Sequence, residues 1–191
     1  MVHRLSQILT DFLVYKKVIE EEDADIYIYG YETALSGIVD FILVIFLGSV
    51  FHQLVQAITF FIVFVSTRLY TGGFHAKTYL MCKLVFITIF IHVIWLTHTI
   101  KLSVIACVIV LLLFIFTVLK FAPVENIKKP LEVMEKKKYR WISIILSVFW
   151  SIACFVLYFF NIELSLTIIF TVISITVLMI IGVLRERREG L

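Results

Sequence analysis

The sequence predicts an all-α, polytopic membrane protein, with six transmembrane helices and an N-terminal amphipathic helix on the membrane surface. Three observations carry that prediction. Of 191 residues, 62% are hydrophobic, against the roughly 45–50% of soluble domains, so the main solvent is lipid. The apolar residues gather in long runs, and the whole chain holds only two prolines and seven glycines to interrupt them. Within a bilayer such runs form helices, because a helix satisfies its backbone polar groups internally. No run shows the apolar–polar alternation of a barrel strand. The net charge of +3 is spread through loops and not gathered on a soluble domain, which excludes nucleic acid as a partner.

In chain order, Leu5, Ile8, Leu9, Phe12, Leu13 and Ile19 recur at helical spacing opposite Arg4, Gln7, Asp11 and Lys16. This pattern suits a helix lying in the interface and not crossing it. Charges are mixed throughout Met1 to Glu22, so no cleavable signal peptide is expected. An acidic run from Glu20 to Asp25 leads to Tyr27, Tyr29 and Tyr31, rings suited to the headgroup boundary. The spans expected next are Leu35–Phe51, Leu54–Thr67, Leu84–Ile100, Leu102–Leu119, Trp141–Phe160 and Leu164–Leu184. Only His52-Gln53, Lys101 and Asn161-Ile162-Glu163 separate the members of each pair, which marks three tight hairpins at one membrane face.

The other connections are long and basic. Residues 1–32, 68–83, 120–140 and 185–191 hold three, three, seven and three Lys or Arg, sixteen of the chain's 17. Basic residues accumulate on the cytoplasmic side. One membrane domain over residues 1–191 is therefore expected: a cytoplasmic amphipathic segment (1–32), a six-span bundle (35–184) with cytoplasmic loops 68–83 and 120–140, and a cytoplasmic tail (185–191). The Lys136-Lys137-Lys138 run reads first as a determinant of this topology.

Leu54–Thr67 is short for a hydrocarbon core of about 30 Å. The chain after it is thus expected to enter inside the bilayer boundary, making 68–83 a partly buried site. That stretch contains Arg68, Gly72, Gly73, His75, Lys77 and, seven residues after the histidine, Cys82, the one cysteine placed outside an apolar run. Imidazole can take a thiol proton, and the resulting thiolate, favoured by protonated His75 and by Lys77 and Lys83, can attack a peptide carbonyl. Gly72-Gly73 would let backbone approach a substrate closely. On a straight helix the pair would stand about 10 Å apart along the axis, so a bend near Gly73 is expected. The alternative is that both are ordinary loop residues.

The run Arg-x-x-x-Gly-Gly-x-His-Ala ending at Cys82 resembles the signature of the accessory gene regulator protein B (AgrB) family. Phe121-Ala122-Pro123-Val124-Glu125-Asn126-Ile127-Lys128-Lys129-Pro130 resembles that family's Ala-Pro-Val…Lys-Pro loop, and Tyr29-Gly30-Tyr31-Glu32 its Tyr-Gly-x-Glu before the first span. The resemblance implies a membrane cysteine endopeptidase with His75 and Cys82 as its catalytic pair. Arg68, Gly72, Gly73, Lys77, Pro123, Lys129 and Pro130 are then candidates for supporting or substrate-binding roles. It further implies an AgrD-type precursor peptide as partner, trimmed and closed into a cyclic quorum-sensing signal, a homodimer, and a Gram-positive cell membrane. No cofactor or metal is expected: His52 and His98 fall at the outer face, away from His75 and Cys82, so ligands do not converge. Cys107 and Cys154 are expected to pack as small hydrophobes. Asp40, inside the first span, could orient His75, but pairing with Arg68 or protonation among helices is the simpler reading. Pro123 and Pro130 would stiffen their loop into an entry groove. A small membrane transporter is the rival reading, although no inverted repeat is visible.

Overall fold

The computed structural model describes residues 2–73, 79–124 and 132–189. The described residues are helical almost throughout: α1 (Val2–Tyr15), α2 (Ala24–Val50), α3 (Leu54–Thr71), α4 (Tyr79–Thr99), α5 (Val104–Phe121), α6 (Val133–Phe160) and α7 (Ile162–Glu189). Six of these, α2 to α7, are long and apolar enough to cross a membrane, as the hydrophobic runs predict. The chain forms two compact units, 1–47 and 48–191.

In the first unit, α1 is too short to span and leaves Leu5, Ile8 and Phe12 exposed, the apolar face that an interfacial helix presents to lipid. His3 Nδ1 on this helix meets Glu32 Oε1 on α2. Helix α2 begins at Ala24, well before the apolar run at Leu35, so the tyrosine-rich segment is the opening of the first span and not a separate loop.

The second unit is organised around α7. Of its apolar window 61% is buried, against at most 33% for any other span, and α3, α4, α5 and α6 all pack on it. Lipid offers no hydrophobic drive between helices, so close approach depends on small residues and interhelical hydrogen bonds. On α6 the buried column Ser143, Ser147, Ser151 and Cys154 recurs at the spacing of one helix face. Cys154 Sγ lies 3.2 Å from Ser165 Oγ of α7, and that hydroxyl donates to the Cys154 carbonyl at 3.0 Å. Cys107 and Cys154 are both buried, as expected of small packing residues.

The unit has two distinct ends. At one, Gln56 Nε2 on α3 donates to Glu163 Oε2 on α7 at 2.8 Å, and Tyr158 Oη on α6 donates to the Leu102 carbonyl at 3.0 Å. The three tight connections, 51–53, 100–103 and Asn161, belong here. Asn161 Oδ1 and Ser103 Oγ each accept a backbone N–H in the first turn of the helix that follows, so side chains cap these starts. At the other end Tyr70 of α3 stacks edge-on with Tyr139 of α6, centroids 5.5 Å apart, and Arg140 Nη2 donates to the Leu119 carbonyl at 3.2 Å. The spans of this unit, α3 to α7, therefore alternate in direction, as the hairpin spacing predicts.

Two expectations need correction. Helix α3 does not stop at Thr67 but continues to Thr71 over 18 residues, about 27 Å at the helical rise. Its shortness therefore gives no reason for the following chain to enter inside the bilayer. Helix α4 starts at Tyr79 and not Leu84, so Cys82 lies in the first turn of a spanning helix and not in a loop. In both cases the apolar run marks the hydrocarbon crossing while the helix continues through polar residues, and at α3 it ends at the Gly72 cap.

Candidate functional site

The site is built on the α3–α4 pair. Phe60 and Phe64 of α3 meet Phe86 and Phe90 of α4 in a continuous ring cluster. Centroid distances are 5.6 Å for Phe60–Phe86, 5.3 Å for Phe60–Phe90 and 5.4 Å for Phe64–Phe86. Phe60, Phe86 and Phe90 are buried, Phe60 and Phe90 completely. On a helix, residues four apart share a face. One turn beyond Phe64 is Arg68, and one turn before Phe86 is Cys82, so the ladder continued by a turn reaches both. The Phe64–Phe86 contact thus places Arg68 and Cys82 at the same level of the α3–α4 pair. The Arg68 guanidinium sits 5.9 Å from the Phe64 ring centroid. The Cys82 side chain is exposed, near the described start of α4.

The chain leaves α3 through glycines because of their backbone. Gly72 has φ +68° and Gly73 φ +123°, both outside the range of ordinary L-residues. The Gly72 N–H donates to the Arg68 carbonyl at 3.1 Å and closes the helix. Arg68 Nη1 in turn donates to the Gly72 carbonyl at 3.4 Å. The break expected near Gly73 thus falls at Gly72-Gly73, ahead of His75. His75, Lys77, Lys129 and Pro130 lie outside the described residues. Asp40 is in α2, within the first unit.

Pro123 follows a cis peptide bond and leads directly to Val124, whose N–H donates to the Thr71 carbonyl at 2.9 Å. Val124 and Thr71 were missed by sequence reasoning, which treated the two basic loops separately; the Ala-Pro-Val motif was visible, but not where it docks. Thr67 was also missed. It is fully buried and its hydroxyl has no hydrogen-bond partner among the described residues, whereas Thr97, Thr117, Thr167 and Thr171 each return theirs to the carbonyl four residues earlier.

The family model of Accessory gene regulator B matches residues 6–182. AgrB-like protein 2 of Clostridium perfringens strain 13 is 27% identical over 145 residues, covering 72% of this chain and 68% of the relative. An AgrB-like protein of Clostridium perfringens strain SM101 is 26% identical over the same shares. No solved structure matches. The match spans every membrane helix and the whole α3–α4 site, and the chain belongs to the accessory gene regulator B family of multi-pass membrane proteins, with a role in the accessory gene regulator system.

Proposed function

We propose that this protein is a membrane-embedded cysteine endopeptidase that cleaves an AgrD-type precursor and promotes closure of the retained fragment into a thiolactone or lactone signal. The observation that carries the reading is the phenylalanine ladder, which places Arg68 and Cys82 at one level of the α3–α4 pair, beside the glycine turn that leads to His75. His75 takes the Cys82 thiol proton, and the sulfur attacks the scissile carbonyl. The Arg68 cation faces the negative charge that develops there. Collapse breaks the C–N bond, the leaving amine takes the proton from His75, and an acyl thioester remains on Cys82. A thiol within the precursor then attacks the thioester carbonyl and releases Cys82. This exchange is nearly isoenergetic and needs no nucleotide. Lys77, Pro123, Lys129 and Pro130 border the same two connections and are assigned to substrate contact.

Sixteen of 17 basic residues lie in the two long connections and the terminal segments, which supports a cytoplasmic site and cytoplasmic termini. The precursor's amphipathic segment would lie on the inner leaflet, where confinement raises its effective concentration. A homodimer in a Gram-positive cell membrane is the expected setting.

The test is cleavage in vesicles. Cys82→Ala and His75→Ala should each lower it by at least about a thousandfold with insertion unchanged, while Cys107→Ser and Cys154→Ser stay near wild type. With the precursor's internal cysteine replaced by alanine, a hydroxylamine-sensitive adduct on Cys82 should appear by mass. Full activity in Cys82→Ala would remove the peptidase reading.

A further inference from the structure

The connection after α5 is remote in sequence from the end of α3, yet the two meet backbone to backbone. Val124 N–H donates to the Thr71 carbonyl at 2.9 Å, and Gly72 and Val124 form an isolated parallel bridge. The last carbonyls of a helix have no partner within it, so the Val124 amide supplies one from outside. The contact is dry: Thr71 is fully buried, and Ala122 and Val124 are each 6% exposed. It is also tight. A Cβ on Gly72 would overlap the Val124 carbonyl oxygen. From the other side, a Cβ on Gly73 would stand 2.9 Å from Arg68 Nη1 and 3.2 Å from the Leu178 carbonyl of α7. The glycine turn is therefore held between the Ala122–Val124 segment on one side and Arg68 with α7 on the other.

We propose that Val124 is a positioning residue: its backbone N–H straps the α5–α6 connection to the end of α3 and fixes the Gly72 carbonyl on which the Arg68 side chain rests. The purpose of this strap rests on the peptidase reading, but the strap itself does not. Arg68 reaches the Gly72 carbonyl at 3.4 Å, and the Phe64–Phe86 contact one turn away puts it at the level of Cys82. Freeing the turn removes one anchor of the guanidinium and disperses the positive charge beside the sulfur. The element that sets the charge at Cys82 thus includes a residue on the other basic loop, and the second loop has a task at the site besides any contact with substrate.

The experiment compares alkylation of Cys82 by anionic iodoacetate and by neutral iodoacetamide, followed on the Cys82 peptide by mass spectrometry in the full-length protein in nanodiscs. A cation beside the sulfur favours the anionic reagent, and the ratio of the two rates cancels changes in exposure. Val124→Pro, which removes the N–H, should lower that ratio at least about threefold, matching Arg68→Ala, by loss of a nearby unit charge. Val124→Ala keeps the N–H and should stay within about 1.5-fold of wild type. An unchanged ratio in inserted Val124→Pro overturns the proposal, as does an equal fall in Val124→Ala, which would assign the effect to side-chain packing. Should Val124→Pro fail to insert, Gly72→Ala, whose Cβ expels the Val124 carbonyl, is judged by the same ratio. Loss of the peptidase reading, by cleavage in Cys82→Ala, would leave this comparison of rates intact.

Discussion

The two ends of the second unit solve the same problem of turning between spans in opposite ways. At one end the connections are as short as the single residue Asn161, two of the three are capped by Asn161 and Ser103 side chains, and the helices are tied by Gln56–Glu163 and Tyr158–Leu102. At the other, two long connections depart, and their backbones bond to each other at Thr71 and Val124. A short connection has little freedom to lose and presents few groups. A long one offers more groups to a site, and binding and catalytic residues gather on such segments. The glycine turn at Gly72-Gly73 and the buried Thr67 hydroxyl occur in the half of the unit that carries the long connections, while the tight end has its own positive φ at His52 and its own buried, unpartnered Gln53 Oε1 among the described residues.

The sidedness of this contrast gives an all-or-none test. His52→Cys, Lys101→Cys and Ile162→Cys should label with an impermeant maleimide in intact cells, and Lys77→Cys, Lys128→Cys and Arg187→Cys only after permeabilisation. External labelling at position 128 would break the assignment of the long-connection end to the cytoplasm. A second test compares polar contacts at the two ends. Arg68→Ala should lower precursor cleavage about 10- to 100-fold, the scale of a misplaced or missing electrostatic group. Glu163→Gln at the tight end should leave cleavage within about twofold and cost about 0.6 kcal/mol of stability, a usual value for an interhelical hydrogen bond in a membrane. Equal losses at both ends would erase the comparison.

The smallest effect expected concerns two threonines. Thr97 returns its hydroxyl to the Val93 carbonyl and lies 3.5 Å from Thr167 Oγ1, whereas Thr67 is buried without a partner among the described residues. Replacing Thr67 with the isosteric valine should leave stability unchanged or raise it by about 1 kcal/mol, because an orphan hydroxyl is removed. Thr97→Val should lower it by about 0.6 kcal/mol. Unfolding in mixed micelles measures both, and a marked loss in Thr67→Val would show that its hydroxyl has a partner in the membrane.

Much of the fold was legible because hydropathy, hairpin length and the distribution of Lys and Arg are local quantities. Helix ends were less so. Tyr79–Lys83 and Arg68–Thr71 contain charged or polar residues that an apolar count excludes, yet the helices continue through them until Gly72 or an N-terminal turn intervenes. The glycine turn could be read from its sequence, since few residues besides glycine tolerate its dihedrals. The level of Arg68 with Cys82 was harder to find, because it follows from the phenylalanine ladder and not from nearness in sequence. That ladder was visible as Phe60, Phe64 and Arg68 against Cys82, Phe86 and Phe90, had the two helices been set antiparallel and read at four-residue spacing.

By itself the sequence determined that the chain is helical and spans a membrane six times, and it singled out the cysteine, histidine and glycines around which a site could form. Each of these depends on transfer of local segments into lipid or on the backbone limits of single residues. Only the tertiary structure decided that α7 occupies the centre, that Arg68 stands level with Cys82, and that Val124 closes on Thr71. Lipid tails are as apolar as the side chains facing them, so hydropathy cannot rank one helix pairing over another. That choice falls to shape, small-residue columns and a few hydrogen bonds, which exist only once the helices have met.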